Sequence, residues 1–192
     1  MTNITLDLSP IIQLTDEQYY KLATAHPNLR MERNADGTIE VMPPTGGNTG
    51  KRNFKLTAQL GAWVQQNPEL GEGFDSSTEF KLPNGANRSP DVAWVSRERW
   101  EALTEEERDK FPPLCPDFVV ELRSPSDSLK RLEEKMQEYM DNGARLGWLI
   151  DPQNQKVKIY RLGQNVEVLD NPSTLSGEDV LPGFVLDLTQ MW

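Results

Sequence analysis

Apolar positions in this chain of 192 residues fall into stripes and short runs whose period switches between the helical and the extended value, and that switching predicts alternating elements. Tyr19, Leu22 and Ala23 follow the capping signal Thr15-Asp16-Glu17-Gln18 and predict a short helix ending near His26-Pro27. Leu29 to Val41 predicts a hairpin turning at Asp36-Gly37, with Glu40 in its second strand. A loop follows from Met42 to Gly47, rich in Pro and Gly. Phe54, Leu56, Leu60, Trp63 and Val64 then make a stripe that predicts a helix from about Gly50 to Gln66. Gly71 to Val95 predicts strands, with a turn at Pro83-Asn84-Gly85, and Ser96 to Lys110 predicts a helix with Trp100 and Leu103 inward. Leu129, Leu132, Met136, Tyr139 and Met140 predict a helix stopped at Gly143. Arg145 to Ile150 predicts a buried strand. Lys156 to Arg161 and Val166 to Leu169 predict a meander, and short strands follow. Residues 1–14 predict an arm or edge strand.

The most informative stretch runs from Asp117 to Asp127. Phe118 to Leu122 is a short run, apolar except for Glu121, and predicts a strand covered on both faces. An ionised Glu there is costly unless it is paired or binds a metal. One reading gives Glu121 a structural partner, Arg123 or Arg145; the other makes it an active-site acid. Ser124-Pro125-Ser126-Asp127 predicts the start of the following helix, with Ser124 as N-cap and Pro125 at its first position. Asp127 then reads as a helix-start residue more readily than as a ligand. Val92 to Val95 is a second short apolar strand, again with a carboxylate at its end, Asp91.

Composition narrows the chemistry. Cys115 and His26 are the sole Cys and His, which excludes an internal disulfide, a cysteine-rich zinc site and any site needing two imidazoles. The N-terminus carries no leader pattern, and no apolar run approaches about 18 residues. This predicts a soluble, cytoplasmic protein with no membrane partner. The formal net charge of −10 opposes broad non-specific binding to nucleic acid, yet suits a site that gathers carboxylates round a divalent cation. Lys51, Arg52 and Lys55 lie in the first turns of a helix, against its dipole, and read either as a solvated face or as a contact for an anion. Trp94, Trp100 and Trp148 each lie in an apolar pattern and read as core.

Asp91 and Glu121 end strands that are able to lie side by side. Such oxygen ligands suit Mg²⁺, which polarises a phosphoryl oxygen and activates a bound water. A nearby Lys offsets charge developing on phosphate. Lys135 stands at the border of its helix's apolar stripe, beside Leu132 and Tyr139, with Glu133 on the opposite border.

Several motifs then combine. Met42 to Gly47 reads Met-Pro-Pro-Thr-Gly-Gly, and Arg88 to Val95 reads Arg-Ser-Pro-Asp-Val-Ala-Trp-Val. Pro116 to Asp127, Glu134 to Tyr139, Gly147 to Pro152 and Leu175 to Phe184 complete the set. Together, from about Thr15 onward, they resemble the Uma-two family of restriction endonucleases, of the PD-(D/E)XK nuclease superfamily. The resemblance implies that Asp91 and Glu121 are catalytic metal ligands, with Leu122 also at the metal, which would be Mg²⁺ with Mn²⁺ as substitute. The motif's Lys is replaced by Arg123, which stays protonated and is able to hold a phosphate but not to act as a base. The resemblance implies that Lys135 takes the missing lysine's place, and that an upstream acid, Glu40 rather than Glu79, completes the catalytic set.

The expectation is an α/β fold, a single domain over residues 1–192 with a restriction-endonuclease-like mixed β-sheet flanked by helices. The N-terminal hairpin and C-terminal meander are expected to extend the central sheet. The expected function is a Mg²⁺-dependent endonuclease hydrolysing DNA phosphodiester bonds, acting as a homodimer. The rivals are an inactive nuclease-fold module that binds or scaffolds, and a hydrolase of small phosphate esters.

Overall fold

The structure, a computed structural model, describes residues 3–192. Its centre is a six-stranded sheet. The strands concerned are β4 (Gly71–Asp75), β7 (Val92–Ser96), β8 (Phe118–Leu122), β9 (Leu146–Asp151), β10 (Lys156–Arg161) and β11 (Glu167–Asp170). Their order is β11-β10-β9-β8-β7-β4, antiparallel except for the parallel pair β8 and β9. That parallel step needs a crossover, which helix α5 (Leu129–Asp141) supplies.

Alternation along β8 decides what each face meets. Phe118, Val120 and Leu122 face one core, shared with Leu56, Leu60 and Trp63 of helix α2 (Gly47–Gln66) and with the C-terminal segment. Val119 faces the other core, with Met136, Tyr139 and Met140 of α5. Glu121 has the parity of Val119, so the strand delivers its carboxylate to the α5 side. Gly147 lets that helix lie close. A Cβ there would stand 2.5 Å from Met136 Cε and 3.3 Å from Val119 Cγ2.

A second sheet of five strands has the order β1-β3-β2-β6-β5. It contains β1 (Ile4–Leu6), β2 (Arg30–Arg33), β3 (Ile39–Met42), β5 (Phe80–Lys81) and β6 (Asn87–Arg88). The expected hairpin exists, turning through Gly37 at φ 89°, but it does not extend the central sheet. Its apolar face, Met31, Ile39 and Val41, is taken by Tyr19 and Leu22 of helix α1 (Asp16–Ala25), which starts with the expected capping box at Thr15. The C-terminal meander does extend the central sheet, through β10 and β11. A third, two-stranded sheet joins β12 (Thr174–Ser176) to β13 (Val185–Asp187).

Three local expectations need correcting. The helix expected from Ser96 to Lys110 is two short ones, α3 (Arg97–Glu101) and α4 (Glu105–Asp109), because Thr104 and Glu107 form a fresh capping box. Helix α5 begins after Ser128, not Ser124. The Asp127 carboxylate accepts the Ser124 N–H at 2.8 Å and the Asp127 N–H returns to Ser124 O at 3.1 Å, which closes a separate turn. Phe54 is 75% exposed and leaves the α2 stripe. Beside it, Arg52 donates to Met191 O and Lys55 to Gln190 Oε1, so two of the three early cations dock the C-terminal segment. Trp94 and Trp148 are core residues, and Trp100 packs against the α5-side core.

Candidate active site

Residues Val92 and Val120 face each other across the antiparallel pair β7–β8. One step beyond that register, Asp91 comes opposite Glu121. Both acids line one cleft of about 1270 Å³ between the central sheet, the N-terminus of α2, the five-stranded sheet and α5. Leu122 lines it as well and gives its N–H to Asp91 Oδ2 at 2.8 Å, while Asn53 of α2 donates to Asp91 Oδ1 at 2.8 Å.

Glu121 Oε1 lies 2.9 Å from Lys135 Nζ and accepts the Tyr139 hydroxyl at 2.9 Å. Among the described residues its Oε2 has no hydrogen-bond partner. Lys135 and Tyr139 lie four apart on α5, one turn, and so meet the same carboxylate. Lys135 Nζ also donates to Glu32 Oε1 at 2.8 Å. Glu32 in turn accepts the Ser89 N–H at 2.9 Å, and Arg88 Nη1 stands 3.8 Å from its other oxygen. A single ammonium thus bridges a strand acid of each sheet.

Charge settles unequally over this cluster. Burial raises the pKa of Glu121 to about 7, because Lys135 offsets only part of the desolvation and Asp91 and Glu32 add repulsion. Burial also acts on Glu32, but there Lys135 and Arg88 prevail and hold it below its ordinary value. Asp91 is raised by burial, against the pull of the Leu122 N–H, Arg30, Lys135 and Asn53. For Lys135, burial favours the neutral amine, yet Glu121 and Glu32 outweigh it and hold the ammonium charged.

The expected site residues divide by location. Asp91, Glu121, Leu122, Lys135 and Glu40 all line the cleft. Glu40, on β3, pairs with Arg131 of α5 and accepts from Asn34 at 3.2 Å. Arg123 is not among the lining residues; its Nη1 lies 2.8 Å from Asp151 Oδ2. Neither Arg123 nor Arg145 pairs with Glu121, and Arg145 instead stands 3.6 Å from Asp179. Glu79 also lies away from the cleft and accepts the Tyr19 hydroxyl at 2.7 Å. Among the lining residues that sequence reasoning missed are Glu32, Arg30 and Asn53. The alternation in β2, with Met31 inward beside α1, was the available signal for the first two.

Two buried polar atoms of the lining residues lack a partner among the described residues: Asn53 Oδ1 and Arg30 Nε. Among the described residues no three His, Cys, Asp or Glu side chains converge as a ready metal shell. The donor set is two carboxylates on neighbouring strands, with a free Glu121 oxygen and the orphaned Asn53 acceptor nearby. Such a set fits Mg²⁺, which keeps several waters and takes one or two carboxylates.

No protein of curated function matches the chain. Among solved structures it is similar to the crystal structure of a putative nuclease belonging to DUF820 from Anabaena variabilis, with a TM-score of 0.76 and 22% identity, over 93% of this chain and 97% of that one. That likeness shows the fold. Among the described residues no helix is long and apolar enough to cross a membrane. The family model described as "Putative restriction endonuclease" matches residues 16–189, and the chain therefore belongs to the Uma2 family.

Proposed function

We propose that the cleft is the active site of a Mg²⁺-dependent endonuclease that hydrolyses DNA phosphodiester bonds. The observation that carries this reading is the meeting of Asp91 and Glu121 at adjoining strand ends, with Lys135 Nζ 2.9 Å from Glu121. Asp91, the free oxygen of Glu121 and the main chain at Leu122 would hold the cation. When bound, Mg²⁺ supplies Lewis-acid polarisation of the phosphoryl oxygen and a more acidic water.

The chain's own groups do the rest. Lys135, held charged by two carboxylates, places a positive charge where a phosphate gains negative charge. It acts as an electrostatic group and not as a base. Asn53 and the Leu122 N–H fix the Asp91 carboxylate from two sides, so its orientation is set before substrate arrives. Tyr139 does the same for Glu121. Glu32 fixes Lys135 and so positions it. Glu40 belongs to the wall of the cleft through Arg131. Arg123, tied to Asp151, takes no part.

Plasmid nicking with Mg²⁺ or Mn²⁺ tests the reading, with Glu121→Gln beside the wild type. Nicking that needs the metal and disappears in the variant is expected. The cleft's own charge favours a second reading, a binding module without turnover. Seven acids line the cleft against four cations. Saturable Mn²⁺ heat by calorimetry, lost in Asp91→Ala but with no nicking under any condition, would decide for that reading. Hydrolysis of nitrophenyl phosphate without nicking would point to a small phosphate ester instead.

A further inference from the structure

Four cationic side chains line the cleft: Arg30, Arg88, Arg131 and Lys135. Three of them are already matched. Lys135 stands between Glu32 and Glu121, Arg88 between Glu32 and Glu138, and Arg131 against Glu40. Among the described residues Arg30 has no carboxylate partner. Its Nη2 gives one proton to Ser89 O at 3.2 Å, and its Nε–H is buried with no acceptor among the described residues.

The position of Arg30 follows from the fold. It opens β2, two residues before Glu32 and on the same face, opposite Met31, which packs beneath α1. Its partner Ser89 lies two residues before Asp91. The guanidinium therefore stands near the Asp91 end of β7, where it lines the cleft. An orphaned buried donor is a cost to the free protein. Side chains with unmet hydrogen-bonding capacity persist where a ligand completes them, and a guanidinium's fork suits two oxygens of a phosphate.

We propose that Arg30 is a phosphate-binding subsite of the cleft, taking a phosphodiester oxygen pair of the substrate next to Asp91. The inference rests on the nuclease reading for the identity of the substrate, but its own requirement is only an anionic phosphate. A small rotation of the side chain gives up at most the bond to Ser89 and delivers Nε–H and Nη2–H together. The other three cations would each first have to leave a carboxylate with which they already pair. Arg30 is thus the cation that makes an otherwise acidic cleft receptive to a polyanion.

The test compares wild type, Arg30→Met and Arg30→Lys, each also carrying Glu121→Gln to prevent turnover. A labelled DNA duplex is titrated by fluorescence anisotropy over a range of salt, and melting is followed in parallel. The expected result is affinity weakened by about tenfold in Arg30→Met with the salt slope reduced by about one, as for one lost phosphate contact. Partial recovery is expected in Arg30→Lys, with melting little changed in both because the single 3.2 Å bond to Ser89 O is all that the side chain gives up. Unchanged affinity and slope in Arg30→Met overturns the subsite, and so does a lowered melting temperature with binding intact, which would make Arg30 a structural residue. A wild type that binds no duplex at any salt overturns it too. Failure of the nuclease reading looks different. It is read from nicking by the unmodified chain, and phosphate-dependent binding that needs Arg30 survives it.

Discussion

Two buried glutamates in this molecule each accept a hydrogen bond from a tyrosine hydroxyl, Glu121 from Tyr139 at 2.9 Å and Glu79 from Tyr19 at 2.7 Å. Burial raises both pKa values, to about 7 and about 8. By residue type and titration alone the two look alike. They differ in company. Glu121 shares an ammonium with Glu32, faces Asp91 and opens onto a cleft. Glu79 has no ion pair among the described residues and is closed in beside α1. A perturbed acid therefore marks a site here only when a second acid, a cation and a cavity meet it.

The comparison breaks hardest at Lys135. Lys135→Met takes the ammonium from two buried carboxylates at once, leaving Glu32 with Arg88 but Glu121 with no cation, and removing one partner of a buried pair typically costs about 3–5 kcal/mol. Its side chain is only 16% exposed, so solvent offers little relief. Chemical denaturation is expected to show a loss of this size, together with loss of nicking. The border position of Lys135 on its helix gives no hint of this cost, which comes from the ion pairs to Glu32 and Glu121. Adding Glu32→Gln should restore part of the stability but not the nicking. A single variant as stable as wild type would mean that the ammonium does not hold these acids.

Next in size is the contrast in function. Glu121→Gln should lower nicking by about 10²-fold or more, the scale of losing one group that stabilises charge in the transition state. Glu79→Gln should leave it within about twofold, since Glu79 touches neither the cleft nor Lys135. Equal losses in the two variants would put Glu79 inside the site and undo the distinction.

Much of the site was legible before any coordinates. Asp91 and Glu121 stood at the ends of short apolar strands and Lys135 at the border of a helical stripe, but Glu133 held the opposite border, so it was the family resemblance and not period alone that joined the three. Arg30 and Glu32 were hidden for a physical reason. Their strand reads as one arm of a hairpin whichever sheet it joins, and only the docking of Met31 and Ile39 under α1 turns the opposite face toward Asp91. Asn53 was hidden because its helix was read by its apolar stripe, and its partner Asp91 lies 38 residues away. The start of α5 was ambiguous in itself: Ser124 with Pro125 carries as good a start signal as Ser128, and a turn closed by Asp127 decided between them.

A smaller effect separates the two glutamates by pH. Glu79 has a folded pKa of about 8 against an ordinary value of 4.5. A raised acid binds its proton more tightly in the folded state. Its contribution is therefore fully present below about pH 4.5 and is lost as pH rises through about 8. Melting of wild type and Glu79→Gln should agree near pH 4.5 and diverge toward pH 8, with the variant the more stable. Parallel melting curves across that window would show that Glu79 is ionised in the folded protein throughout.

The smallest expected effect lies in the tyrosines. Tyr139→Phe removes one hydrogen bond from Glu121, but Lys135 remains at the same oxygen, so the cost should stay near about 1 kcal/mol. Tyr19→Phe removes the hydrogen bond that Glu79 accepts among the described residues, and an unsatisfied buried acceptor costs about 1–3 kcal/mol. Denaturant titrations at pH 7 should thus find Tyr19→Phe the more damaging, although Tyr139 sits in the candidate site and Tyr19 outside it. The order should hold because the ammonium, and not the phenol, carries the Glu121 side of the comparison. If Tyr139→Phe proves the costlier, Lys135 contributes less to holding Glu121 than its 2.9 Å approach implies.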